Sequence, residues 1–246
     1  GKQWRTGLQL LREMREAGID PDEVTFNTLI STCGKSHAWE AALWLLAVMP
    51  DERTEASTYT FNAAISACER GNRWDCAGQL LAELQRRDLR PDVITYSAAI
   101  SACEKGGRWD AALRVFAEMK CGSVEPNVIS YSAAITACEG RGRWELALGL
   151  FADMRWQRFE PDVISYGAAI AACASDERWE FASALLSQLR LARLRADAVS
   201  YNAAISACEK GKRWQPALAL LADMRWRDVE PNVISYSATI SACEKG

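Results

Sequence analysis

The sequence predicts an all-α fold, an α-solenoid of stacked helix-turn-helix hairpins, and three observations predict it. First, the chain repeats itself without insertion or deletion. Trp4, Trp39, Trp74, Trp109, Trp144, Trp179 and Trp214 stand 35 residues apart, as do Cys33, Cys68, Cys103, Cys138, Cys173, Cys208 and Cys243; a fixed period of this size is the signature of a repeat array. Second, apolar residues recur at helical spacing twice within each period. Third, Pro21-Asp22, Pro91-Asp92, Pro126-Asn127, Pro161-Asp162 and Pro231-Asn232 fall in one register, where proline stops a helix by removing a donor and constraining the residue before it.

Read in order, residues 1–22 are a partial repeat carrying a second helix. Repeats 1 to 6 occupy 23–57, 58–92, 93–127, 128–162, 163–197 and 198–232, and 233–246 is a partial repeat carrying a first helix. In repeat 2, Phe61, Ala64, Ile65 and Cys68 fall at i, i+3, i+4 and i+7 and mark the first helix. Glu69-Arg70-Gly71-Asn72-Arg73 breaks it, and Trp74, Ala77, Leu81 and Leu84 mark the second. Repeat 3 has the same pattern in Trp109, Ala112, Leu113, Phe116 and Met119. One hairpin cannot bury its own apolar face, so neighbours must stack, giving about 14 helices. Neither end unit looks like a capping repeat, and the expectation is an interior piece of a longer array.

Composition excludes several functions. Of 246 residues, 49% are hydrophobic and 25% charged, with a net charge of −3. No apolar run approaches the roughly 18 to 20 residues that cross a bilayer, so no membrane role is expected. His37 is the single histidine, which removes most triads and His-based metal sites; it falls in an inter-helix turn and is expected to be solvated. Phosphate-loop and dinucleotide fingerprints are absent, as is any Cys-x-x-Cys pair. We therefore expect no enzyme activity, metal, cofactor or small-molecule substrate. Seven of the nine cysteines share one inward position, with Cys76 and Cys121 as extras. Neighbouring helices pack about 8–10 Å apart, too far for disulfides, so these read as core thiols of a protein in a reducing compartment.

The segment Val93-Ile94-Thr95-Tyr96-Ser97-Ala98-Ala99-Ile100, closing with Val124-Glu125-Pro126-Asn127, resembles a pentatricopeptide repeat, and the uniform length is similar to the P class of that family. The resemblance implies a right-handed superhelix that binds single-stranded RNA, one nucleotide per repeat, in mitochondria or plastids, serving RNA processing, stability or translation. It further implies that the fifth and last residues of each repeat read the base. Those pairs are Asn27 with Ser57, Asn62 with Asp92, Ser97 with Asn127, Ser132 with Asp162, Gly167 with Asp197, and Asn202 with Asn232. Second-position residues would sandwich the base: Val24, Tyr59, Ile94, Ile129, Ile164 and Val199. By the same resemblance the site is 5′-CUAGNY-3′, with Gly167 leaving the fifth base unread. Lys35, Arg70, Lys105, Lys210 and Lys245 share the register where the family places a lysine near the RNA backbone, with Gly140 and Ser175 interrupting the row.

Plainer roles stand beside these. Asp, Asn and Ser just before a helix also serve as N-caps. Asn and Ser at the fifth position cost some helix propensity and lie off the apolar stripe, which favours a functional role. Phe26, Phe61, Tyr96, Tyr131, Tyr166, Tyr201 and Tyr236 read as core, as do the tryptophans. Arg73, Arg108, Arg143, Arg178 and Arg213 form a second basic row in the turn that a solvated surface also explains. The acidic balance argues against a nucleic-acid partner, and acids beside the lysine row, Glu69, Glu104, Glu209 and Glu244, would partly cancel its field. A protein-interaction scaffold of the tetratricopeptide type, with protein partners, is the competing class. The RNA-targeting arm of an enzyme whose catalytic domain lies elsewhere is a third.

Overall fold

Every first helix starts on a residue chosen to satisfy its free amides. Asp22, Ser57, Asp92, Asn127, Asp162, Asp197 and Asn232 are the N-caps of the seven first helices, all with extended backbone. In all but Ser57 the side chain accepts from the amide three residues on, which removes one of the helix's orphan donors. The last residue of each repeat is therefore a cap, whatever else it does.

The computed structural model describes residues 3–52, 54–140 and 142–246. Among them are fourteen α-helices and one 3₁₀ turn, with no strand. The chain folds as two compact units, Gly1–Pro126 and Asn127–Gly246. The first holds α1 (Gln3–Glu16), α2 (Glu23–Lys35), α3 (Trp39–Val48), the 3₁₀ turn Met49–Glu52, α4 (Thr58–Arg70), α5 (Trp74–Arg86), α6 (Val93–Lys105) and α7 (Trp109–Cys121). The second holds α8 (Val128–Ala137), α9 (Trp144–Trp156), α10 (Val163–Ser175), α11 (Trp179–Leu191), α12 (Ala198–Lys210), α13 (Trp214–Trp226) and α14 (Val233–Lys245).

In the first unit α2, α4 and α6 pack side by side, and α3 and α5 each pack on their own first helix and on the next one. In the second unit α8, α10, α12 and α14 form the equivalent layer, backed by α9, α11 and α13. The first helices thus bury two flanks and a back, which is why their middles are alanine, isoleucine and cysteine, and leave one face open. Phe26, Ile30, Cys33, Leu45, Phe61 and Leu84 belong to the core of the first unit; Ile205, Cys208, Ala217 and Ala242 belong to that of the second. All nine cysteines are free, six of the repeating set buried. Burial pushes the Cys68 thiol up to about 12 and those of Cys103, Cys173 and Cys208 to about 11, so they stay protonated and inert.

The tryptophans are not fully buried, although Trp4 and Trp179 pack against the core. Most are half-buried, and Trp109 and Trp214 are 36% and 40% exposed. Trp39, Trp74, Trp144 and Trp179 each open a second helix and are covered from outside by the following repeat. The Arg73 guanidinium lies 4.2 Å over the Trp39 ring and Arg108 the same distance over Trp74; in the second unit Arg178 covers Trp144 and Arg213 covers Trp179. Arg73 is in turn gripped by both carboxylate oxygens of Asp75 at 2.8 and 3.1 Å. Arg73, Arg108, Arg178 and Arg213 are therefore more than a solvated surface: each clasps one repeat to the next by a cation–π contact. The same ring explains Gly71 and Gly106, where an added Cβ would lie 2.4 and 2.5 Å from Trp39 and Trp74 Cδ1.

Aromatic residues before the fifth position are buried from Phe26 through Tyr201, whereas Tyr236, on the last helix, is 44% exposed. Three of the tyrosines tie the hairpin together, donating from their hydroxyls to Glu118 (Tyr96, 3.3 Å), Asp153 (Tyr131, 2.7 Å) and Asp223 (Tyr201, 2.6 Å).

Local departures have local causes. Pro50 ends α3 early and the chain closes as a 3₁₀ turn, because proline cannot continue the helix ladder. Repeat 4 ends α8 early too, where Gly140 adopts φ +146°. There Asp176 of the next repeat accepts from the amides of Gly142, Arg143 and Trp144 at 2.7–3.4 Å and supplies the cap that α9 lacks. His37 adopts φ +58°, and its Nδ1 sits 3.1 Å from the Arg70 carbonyl oxygen; it ties two turns together rather than being merely solvated.

Candidate nucleic-acid interface

The open face of the first-helix layer carries an apolar row. Val24, Tyr59 and Ile94 in the first unit, and Ile129, Ile164 and Val199 in the second, are between 62% and 71% exposed. The equivalent residue of the last partial repeat, Ile234, is 60% exposed. Leaving such side chains in water forgoes about 1.5–3 kcal/mol each, and a regular exposed row marks a surface built to be covered. Between α2 and α4 the row opens into a cavity of about 460 Å³ with Val24 and Tyr59 on its walls, and with Asn27, Thr28, Ser31 and Lys35 completing it.

Within each unit the fifth residues lie in the seam between adjacent first helices. Asn27, Asn62, Ser97 and Ser132 are only 7–8% exposed, so they do not sit off the packed face as the apolar pattern suggests. Asn27, Asn62 and Ser132 are buried because a residue one turn into the first helix meets the start of the following one. Asn62 Nδ2 donates to Asp92 Oδ1 and Oδ2 at 3.2 and 3.1 Å, and Asn202 Nδ2 donates to Asn232 Oδ1 at 3.2 Å. In these two repeats the fifth and last residues are bonded partners, although 30 positions separate them. Gly167 offers no such bond; a Cβ built there would find Ser200 Oγ at 3.7 Å, an ordinary contact.

A third-position hydroxyl of the following repeat, not singled out from the sequence, joins three of the pairs: Thr95 meets Asn62 and Asp92, Ser165 meets Ser132 and Asp162, and Ser235 meets Asn202 and Asn232. Thr60, Thr95, Ser130, Ser165, Ser200 and Ser235 are at most 1% exposed. Thr95 Oγ1 donates toward Asn62 Oδ1 at 2.5 Å and lies 2.9 Å from Asp92 Oδ1. Ser235 Oγ lies 2.6 Å from Asn202 Oδ1, and the hydroxyls of Ser132 and Ser165 are 2.7 Å apart. The available signal was a hydroxyl in the third position of every repeat, Thr25 included. Thr25 shows the electrostatic side of the arrangement. Its hydroxyl and amide both donate to Asp22, holding that carboxyl below its usual range.

The cationic row is unevenly committed. Lys105 Nζ lies 2.8 Å from Glu69 and Lys245 Nζ 2.9 Å from Glu209, each acid belonging to the preceding repeat. Arg70 and Lys210 have Gly34 and Ala174 in the position that supplies that acid, and they make no ion pair with any described residue. Lys35 is exposed beside the cavity. Among the described residues no group of three or more His, Cys, Asp or Glu is placed to hold a metal ion, and no described helix is long and apolar enough to cross a membrane.

Known proteins share this architecture. The family model for the pentatricopeptide repeat domain matches residues 79–141 and 149–210, half of the chain, and two further models of the same repeat match 21–70 with 196–245 and 59–89 with 129–159. The chain belongs to the pentatricopeptide repeat family. No curated protein matches it. Among solved structures it is similar to the pentatricopeptide repeat protein PPR10 from maize (20% identity, 99% of this chain and 40% of that one, TM-score 0.60). PPR10 in complex with an 18-nucleotide psaJ RNA element is similarly close (20%, 96% and 39%, 0.58). The repeat domain of Arabidopsis thaliana protein-only RNase P 1, in complex with tRNA, is 16% identical over 72% of this chain and 94% of that one, with a TM-score of 0.63. The chain spans about two fifths of the length of PPR10. At these identities the likeness is one of fold, a pentatricopeptide all-α repeat.

Proposed function

We propose that this pentatricopeptide repeat chain binds single-stranded RNA, one nucleotide per repeat, with 5′-CUAGNY-3′ as the site that the fifth and last residues alone imply. The observation that carries the reading is the exposed row Val24, Tyr59, Ile94, Ile129, Ile164 and Val199, spaced one per repeat, with the bonded pairs Asn62–Asp92 and Asn202–Asn232 beside two of its members. Apolar walls suit the flat face of a base, and a polar pair suits its edge. The RNA-bound relatives support an RNA partner. The chain itself acts without catalysis, by occupying a transcript in a mitochondrion or plastid and so masking or remodelling it for processing or translation. Lys35, Arg70 and Lys210 are the cations best placed to meet phosphates, and the paired Lys105 and Lys245 contribute less.

A protein-binding scaffold is the second reading, favoured by the net charge of −3 and by the spending of two row cations on acids. Anisotropy titration of labelled CUAGNY RNA against a permuted control, with Asn62→Ser, separates the two. Base reading requires the second-base preference to move from U toward G; failure of either RNA to bind at low salt, where phosphate contacts are strongest, overturns it.

A further inference from the structure

Repeat 1 departs from the others at its first residue. Where repeats 2 to 6 begin with Thr58, Val93, Val128, Val163 and Ala198, repeat 1 begins with Glu23. Glu23 Oε1 accepts from Asn27 Nδ2 at 3.2 Å and from the Ser57 hydroxyl at 2.5 Å. Asp92 holds Asn62 Nδ2 in the next repeat in the same manner, at 3.1 and 3.2 Å. Ser57, the last residue of repeat 1, has no carboxylate, and Glu23 puts one against the fifth residue from the other side.

We propose, building on the RNA-binding reading above, that Glu23 is a third base-reading residue of repeat 1. Its carboxylate stands in for the missing last-position acid, so that this repeat selects uracil instead of the cytosine that Asn27 with Ser57 implies. The available hydrogens decide which base fits. A serine hydroxyl has one hydrogen to give, and Ser57 gives it to Glu23, leaving only lone pairs, one side of the oxygen lying 3.4 Å from Thr60 Oγ1, to face a base. Cytosine N3 is itself an acceptor and meets those lone pairs unfavourably. Uracil N3 carries a hydrogen and finds acceptors there. Its neighbouring carbonyl takes the second hydrogen of Asn27 Nδ2, the one Glu23 does not use.

The state of Asn27 points the same way. Its Oδ1 is buried without a hydrogen-bond partner, whereas Asn62 Oδ1 receives Thr95 and Asn202 Oδ1 receives Ser235. Thr60, which holds the equivalent place, instead accepts from the Ser57 amide at 3.2 Å. The Asn27 amide is therefore oriented by Glu23 alone.

The test is a set of four labelled RNAs identical except at the first base, titrated by anisotropy against the wild-type chain, Glu23→Val and Glu23→Gln, with a second-base series as internal control. The wild type should prefer U to C at base one by about tenfold, the discrimination one well-made base contact supplies. Glu23→Val, which installs the residue of repeats 3 to 5, should reverse the order. Glu23→Gln, which keeps the shape and adds a donor, should abolish the preference while leaving circular dichroism unchanged, so the result does not hang on the valine variant folding. A cytosine preference in the wild type that Glu23→Val leaves unaltered, with normal discrimination at base two, overturns the role of Glu23 and leaves base reading standing. Absence of binding to every RNA overturns the RNA reading itself, and this inference with it.

Discussion

Asn62 and Asp92 are joined side chain to side chain, at 3.1 and 3.2 Å, although one lies inside α4 and the other caps α6. The contact makes the two residues a single chemical unit, because the amide and the carboxylate fix each other's orientation before any ligand arrives. Cap and partner are one group. A preorganised pair loses less on binding than two independently rotating side chains.

That unit depends on Thr95, whose hydroxyl lies within bonding distance of both members. Thr95→Val removes both contacts and leaves Asn62 Oδ1 without its donor. Unfolding in denaturant should show a loss of about 1–2 kcal/mol. In RNA titrations the preference for U at base two should weaken more than the affinity for the remaining bases, which a purely structural defect would lower together.

Releasing a committed cation should strengthen binding. Glu69→Gln breaks the 2.8 Å pair with Lys105; the pair is partly exposed and contributes at most about 1 kcal/mol to stability. RNA affinity at low salt should rise, and the slope of log affinity against log salt should steepen by about 1.

Repeat 5 should accept a reader. Gly167 has room for a side chain, its nearest foreign atom to an added Cβ being Ser200 Oγ at 3.7 Å. Gly167→Asn places an amide beside Asp197 in the manner of Asn62 beside Asp92, and should convert an indifferent fifth base into one that prefers U. The helix should also gain about 0.5–1 kcal/mol from losing an interior glycine, offset in part by the lower propensity of Asn.

Acid and alkali should each loosen the second unit through the Tyr201–Asp223 contact. Burial works against the Asp223 charge, but the bonds from Tyr201 and Arg227 and the field of Arg190 outweigh it and hold the carboxyl below its ordinary value. Its contribution is present above the ordinary carboxylate range and is lost as pH falls through the lower folded value, below about pH 4. Burial and the neighbouring carboxylate push Tyr201 up to about 12, so its contribution is complete below the ordinary tyrosine value and is lost as pH climbs toward 12. Tyr201→Phe should cost about 1.5–3 kcal/mol at neutral pH and flatten both limbs of the stability profile, read by thermal melts across pH.

The hairpins were legible in the sequence because period and apolar spacing are properties of single helices. What stacks against what is not such a property. Trp39 has core spacing, and only the packing of the next hairpin shows that an arginine covers it. Thr95 reads as an ordinary first-turn residue, and only the approach of α6 to α4 brings it against Asn62. Glu23 escaped notice for the same reason, since its partners lie 4 and 34 positions away and its place in the repeat is elsewhere filled by valine, alanine or threonine. The second-position row came through resemblance, because an isolated apolar residue beside a cap carries no sign that it will stay uncovered.

The hydroxyl that completes the Asn62–Asp92, Ser132–Asp162 and Asn202–Asn232 pairs belongs to the following hairpin, so the unit that can be exchanged is offset from the unit that folds. A segment moved between such arrays with its ends at the cap would carry the fifth and last residues but inherit a stranger's third-position hydroxyl. Cuts placed after that hydroxyl keep the donor set intact. Where recombination or engineering shuffles these proteins, junctions a few residues inside the first helix should preserve specificity better than junctions in the connecting turn.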